Sequence, residues 1–261
     1  MEKKKIVYYE TLQDDFTDNK NLKVKVIDEK YNYINKNFCW KFISWVTYRL
    51  IMKPISYLYL KFKFDFKVEN KDVLKEVKEK GAFMYLNHTQ TVADAYIPNA
   101  IAFWKKVYVV IHPDNVSLPF LGKIAEFSNG LPTPGNVKAA KNFMGAISKC
   151  IDKKHLVAIY PEAHVWDYYT KIRDFKEESF RYPAKLDAPV YAITTTYRNR
   201  KNKNPKIVTY VDGPFYTDKT KNYAEQKLEL RNKVLDVMKE RVKTNDVEYI
   251  KYVKRGDGEV T

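Results

Sequence analysis

Five short apolar runs set the strongest limit on how this chain can fold. They are Ala82-Phe83-Met84-Tyr85-Leu86, Val107-Tyr108-Val109-Val110-Ile111, His155 to Tyr160, Ala188 to Thr196 and Lys206 to Asp212. Each has the length of a strand and is too short for a helix with its own core face. Between them lie stretches that read as helices: Lys71 to Lys80, closed by Gly81; Ala95 to Trp104; a short apolar piece from Phe120 to Phe127; residues 137–150, with Val137, Ala140, Phe143, Met144 and Ile147 at helical spacing; and residues 220–242. Pro189 suits the start of its strand, and Gly213-Pro214 suits the end of the last one. Strands separated by helices predict an α/β fold: a central, mostly parallel or mixed sheet flanked by helices.

The first part of the chain has a different texture. Residues 1–35 are polar and charged and read as an accessory arm, with a short alternating strand at Leu22-Lys23-Val24-Lys25-Val26. The N-terminus is basic but leads into no apolar stretch, so a cleaved signal peptide is not expected. Residues 39–62 are rich in Trp, Phe, Tyr, Ile and Leu, interrupted by Lys41, Arg49, Lys53 and Lys61. No uninterrupted apolar run there is long enough to span a bilayer. Pro54 predicts two short helices. Two readings fit the segment: an amphipathic pair lying among lipid headgroups, or a pair facing a soluble core. A boundary near residue 62 would separate an arm with interfacial helices (1–62) from an α/β domain (63–261). After Tyr249 the tail is basic and is expected to be peripheral.

The chain has 261 residues, enough for one large core. Its 47 Lys and Arg against 32 Asp and Glu give a net charge of +15, which favours anionic partners such as a membrane surface or a phosphorylated ligand. Nucleic acid is not expected as a partner, because no recognition motif accompanies the charge. Two cysteines, Cys39 and Cys150, form no paired spacing, which argues against a disulfide framework or a cysteine-rich zinc site. His88, Asp94, His112, Glu162 and His164 could supply nitrogen and oxygen ligands, but none has the close spacing of a metal motif.

The chemistry concentrates where the run 82–86 ends, in Asn87-His88-Thr89-Gln90-Thr91-Val92-Ala93-Asp94. Strand ends of open α/β sheets form the usual crevice. If Asp94 meets one ring nitrogen of His88, the other nitrogen can deprotonate a hydroxyl. No serine or cysteine stands beside them as a nucleophile, so that hydroxyl could belong to a substrate. Equally, Thr91-Val92-Ala93-Asp94 fits a capping box, with Asp94 serving only a helix start.

Asn87-His88 followed by Asp94 resembles the first motif of the glycerolipid and lysophospholipid acyltransferases, which include the enzymes acylating lysophosphatidic acid. Tyr160-Pro161-Glu162-Ala163 is similar to that family's phenylalanine-proline-glutamate-glycine motif, and Ala188-Pro189-Val190 to its proline-led hydrophobic strand. Residues 39–62 resemble a two-helix membrane motif found in part of the family. The resemblance spans roughly residues 40–215. It implies transfer of a fatty acyl group from acyl-CoA or acyl-carrier protein to a hydroxyl of a lysophospholipid or related lipid, without cofactor or metal, at the cytoplasmic face of a membrane. His88 would be the base, Asp94 its partner, and Glu162 a residue that positions the acceptor.

Departures from the family pattern are specific. Five residues separate His88 from Asp94, where the family has four. Ala163-His164-Val165 stands where the family has glycine, threonine and arginine, and residues 112–172 hold no arginine. Arg173, Lys176 and Arg181 are then the candidates for an anion site, or are surface charge, and His164 could touch the acceptor. A catalytically weak or inactive lipid-binding module is the alternative. Oligomeric state is not readable.

Overall fold

β3 (Ala82–Leu86) lies at the centre, and every one of its side chains is buried. The reason is period-two alternation between two apolar layers. Ala82, Met84 and Leu86 join one cluster, and Phe83 and Tyr85 join the other. The computed structural model describes residues 5–16 and 22–256. Met1 to Lys4 of the basic N-terminus and residues 257–261 of the tail lie outside the described residues.

In chain order the elements begin with β1 (Lys5–Tyr9), α1 (Phe38–Val46), a π-helical stretch (Thr47–Met52), α2 (Lys53–Phe64) and β2 (Lys67–Glu69). A 3₁₀ helix (Lys71–Glu79) leads to β3, a 3₁₀ turn (Ala93–Ala95), α3 (Ile97–Ile101), β4 (Val107–Ile111), α4 (Pro113–Ser117), α5 (Leu121–Phe127) and β5 (Gly130–Pro132). Then come α6 (Val137–Asp152), β6 (Leu156–Ile159), a 3₁₀ turn (Glu178–Phe180), α7 (Arg181–Leu186), β7 (Val190–Arg198), β8 (Lys206–Phe215), α8 (Tyr223–Val242) and β9 (Ile250–Lys254).

The main sheet has seven strands in the order β2-β8-β7-β3-β6-β4-β5. All neighbours are parallel except β7 and β8. The fold is therefore α/β with a mixed, mostly parallel sheet. One face is covered by α2 and α3, whose Leu60, Phe64, Ile97 and Ile101 enter the first cluster. The other is covered by α6 and α8 through Phe143, Ile147, Leu230 and Val234. β3 starts hard against the end of α6. A Cβ on Gly81 would sit 2.4 Å from the Ile151 carbonyl oxygen, so only glycine fits there.

Several elements differ from expectation. Residues 22–28 form no strand; Ile27 instead accepts a hydrogen bond from Gly135 through its carbonyl. Pro54 does not divide two helices by a loop. α1 passes into α2 through the π-helical stretch, where the Lys53 N–H reaches the Tyr48 carbonyl five residues back. Pro54 then stands at the second position of α2, directly after the widened turn. The helix predicted over 95–104 is split around Tyr96 and ends at Ile101. β8 runs on past Gly213-Pro214 to Phe215. β1 and β9 form their own two-stranded parallel sheet, so neither the arm nor the tail after Tyr249 is merely peripheral. The expected boundary at residue 62 falls inside α2, and Leu60 and Phe64 on either side share one core.

Lys53 is not a headgroup lysine. It is 1% exposed, and its ammonium donates to the carbonyls of Ala102, Phe103 and Lys105. The outward face of α1, the π-helical stretch and α2 is rich in apolar side chains, with Phe38 80%, Leu50 59% and Phe62 79% exposed. Among the described residues, no helix is long and apolar enough to cross a membrane.

Candidate active site

The lengthened turn after β3 closes on itself. His88 Nδ1 lies 2.7 Å from Asp94 Oδ2, although five residues intervene. The same oxygen accepts the backbone N–H groups of Thr89 and Gln90, each at 2.9 Å. A carboxylate reaching back to the two amides before it folds the turn into a cup, and the extra residue is taken up there. Thr91 leaves the cup: its N–H and hydroxyl both donate to Asp167 Oδ1, at 2.8 and 2.9 Å. Asp94 therefore does not pair with Thr91 in the capping box its spacing suggested.

Neighbouring strands and loops hold this turn in place. The Asn87 side chain spans to β7, donating to the Thr195 carbonyl and accepting its N–H. Tyr197 donates its hydroxyl to Thr89. From the loop after β6, the N–H groups of Trp166 and Tyr168 donate to the carbonyls of His88 and Thr89.

Asp94 is fully enclosed. Burial pushes its carboxyl above the ordinary value, and the hydrogen bond from His88 and the two amides pull it back. The His88 side chain is 22% exposed. Its Nδ1 is committed to Asp94, and Nε2 has no hydrogen bond within the described residues. One ring nitrogen anchored to a carboxylate and the other free is the arrangement of a general base.

Glu162 stands behind this pair. Its carboxylate accepts the N–H of His88 at 2.8 Å and that of Arg173 at 2.9 Å. The Arg173 guanidinium lies 3.4 Å from it, both side chains being essentially inaccessible. Arg173 also donates to the His164 carbonyl and stacks over the Trp166 ring. Burial raises the Glu162 carboxyl, and Arg173 is the strongest opposing influence. Arg173 is therefore neither surface charge nor a solvent-facing anion site: it is an internal counter-charge to Glu162. Lys176 and Arg181 do not join it. Lys176 is exposed, and Arg181 lies against the Tyr182 ring. His164 faces Asp15 of the N-terminal arm, with Nδ1 to Oδ2 at 3.2 Å. His112 caps α4, so these groups do not converge as metal ligands.

Ala163 has φ +66°. This is the position where the family motif carries glycine, and the left-handed conformation is the reason glycine suits it. Two residues missed by sequence reasoning also serve the site. Asp167 ties down Thr91, and Tyr160 touches both His88 and Asp94. A surface cavity of about 270 Å³, lined by Tyr31, Asn35 and Lys149 among others, contains none of these groups.

The family profile described as Acyltransferase matches residues 65–196, half of the chain. No curated protein sequence matches. Among solved structures, the chain is similar to the 1-acyl-sn-glycerophosphate (LPA) acyltransferase PlsC from Thermotoga maritima. The TM-score is 0.57 at 16% identity, over 81% of this chain and 83% of that one. What the two share at that identity is the fold.

Proposed function

Because the chain belongs to the acyltransferase family, we propose that it transfers a fatty acyl group from acyl-CoA or acyl-carrier protein to a hydroxyl of a lysophospholipid or related lipid. The observation that carries this reading is the 2.7 Å contact between His88 Nδ1 and Asp94 Oδ2, which leaves Nε2 uncommitted. His88 Nε2 takes the proton of the acceptor hydroxyl as that oxygen attacks the thioester carbonyl. The tetrahedral intermediate collapses, the carbon–sulfur bond breaks, and the imidazolium returns its proton to the departing thiolate. Asp94 stabilises the imidazolium and fixes its tautomer. Glu162 holds the backbone of His88 rather than a solvent-facing acceptor. The alternative, a catalytically weak or inactive lipid-binding module, was motivated by the five-residue interval and by the lack of arginine over residues 112–172; the 2.7 Å contact speaks against the first of these grounds and does not bear on the second.

The acceptor is brought in from a membrane, on this reading. The exposed apolar face of α1 and α2 lies beside Lys41 and Lys61, which suits an anionic bilayer surface at the cytoplasmic side. Phe42→Ser with Leu50→Ser should abolish co-flotation with vesicles of mixed anionic and zwitterionic lipid. Unchanged flotation sinks the membrane assignment.

The test of activity is thiol release from acyl-CoA and acyl-carrier protein over a panel of lysophospholipids, for wild type and His88→Ala. Turnover should fall by about three or more orders of magnitude in the variant. Retained turnover excludes His88 as the base.

A further inference from the structure

Asp94 sits at an awkward point of the backbone. The residue four positions on is Pro98, which has no N–H, so a continuing helix could not satisfy the Asp94 carbonyl. The Tyr160 hydroxyl supplies the missing donor, at 2.5 Å. The ring of the same tyrosine lies 4.6 Å from the His88 imidazole, tilted by 34°. One side chain thus holds the backbone of one member of the pair and backs the ring of the other. The Asp94 carboxylate itself is anchored on one side only. Oδ2 takes three donors, whereas Oδ1 is buried without a hydrogen bond among the described residues. A carboxylate held through one oxygen depends on its backbone for direction, and here that backbone belongs to a turn one residue longer than the family's.

We propose that Tyr160 is a positioning residue for the His88–Asp94 pair: its hydroxyl pins the lengthened turn at the Asp94 carbonyl while its ring backs the imidazole. The proposal rests on the reading of the pair as the reacting centre, and it assigns a task to the one atom by which Tyr160 exceeds the family's phenylalanine. Phenylalanine would supply the ring contact alone. In this chain the hydroxyl does what a helical N–H would do if Pro98 were another residue.

The experiment uses the full chain and two independent readouts. In protein labelled with ¹⁵N at histidine, the Nδ1–H proton of His88, assigned by its loss in His88→Ala, is followed by NMR without substrate. The short bond to Asp94 should place it far downfield in wild type. In Tyr160→Phe it should move upfield and exchange faster with water. In the thiol-release assay, kcat of Tyr160→Phe should fall about tenfold with KM changed less than about twofold, the signature of geometry lost after binding. Tyr160→Leu, which also removes the ring, should lose more. A Tyr160→Phe protein whose Nδ1–H resonance and kcat match wild type overturns the proposal. So does one that only melts earlier with both unchanged. If wild type turns over none of the acyl donors, the functional reading fails, yet the NMR result still decides the role of Tyr160.

Discussion

Replacing Arg173 by methionine would test whether the ion pair behind the histidine is structural. The guanidinium and the Glu162 carboxylate are 1% and 0% exposed and 3.4 Å apart. Breaking a buried pair leaves a charge without its partner and costs about 3–5 kcal/mol. Glu162 keeps two backbone donors after the change, from His88 and residue 173. We therefore expect the lower end, about 3 kcal/mol, or a fall in Tm of about 10 °C for a chain of this size. Urea unfolding of Arg173→Met, Glu162→Gln and the double variant closes a cycle. The double variant should be less destabilised than the sum of the singles by about 2 kcal/mol, because no orphan charge remains. Burial already raises the Glu162 carboxyl, and without Arg173 it should rise further. A raised carboxyl binds its proton more tightly folded than unfolded, so the deficit of Arg173→Met should shrink as pH falls. Additive single effects, or a loss within about 0.5 kcal/mol for Arg173→Met, would refute this reasoning. If Arg173 instead bound an acceptor phosphate, KM would rise while stability stayed.

Ala163→Gly should stabilise the protein by about 0.5–1 kcal/mol in the same urea assay, since φ +66° strains alanine more than the added unfolded-state freedom of glycine costs. A loss of stability would mean the loop is held otherwise. Burial, then the charges of Lys106, Lys153, Lys105 and Arg49, lower His155 from 6.5 to about 4. The unfolded chain then binds more protons between those values, so stability should be full above pH 6.5 and decline as pH falls toward 4. His155→Gln should flatten that decline in thermal melts between pH 7 and 4; an unaltered slope would exclude His155 as a source.

The parts legible in the sequence were those governed by local period. All five apolar runs became strands of one sheet, because mainly apolar runs of five to nine residues between turn formers have few other places to go. β5 was not legible: three residues, Gly130–Pro132, carry no period, and β4 recruits them. β1 was missed because its partner among the described residues is some 245 residues away. The π-helical stretch was hidden too, since proline normally signals a break and here follows a turn that had already widened. At the site, residue types pointed to His88, Asp94 and Glu162, but not to the direction in which Arg173 turns. Its charge suggested a ligand, and the three-dimensional path of the loop 162–173 folds it inward. Tyr160 was legible only as a variant of a motif; its hydroxyl acquired meaning once Pro98 was seen to leave the Asp94 carbonyl without a helical donor.

The pairing of β1 with β9 also bears on when this protein becomes complete. A ribosome releases residues 5–9 long before it has made residues 250–254, so the two strands cannot meet during most of synthesis. Meanwhile the main sheet, whose last strand ends at Phe215, can already assemble. The aromatic seam in which Tyr9, Phe16 and Tyr252 enclose Trp166 must form afterwards, and Trp166 is the ring beneath Arg173. The loop that carries Glu162 is thus sealed by the two extremes of the described chain, and a nascent polypeptide interrupted before residue 250 would carry its histidine and aspartate on an unfinished support.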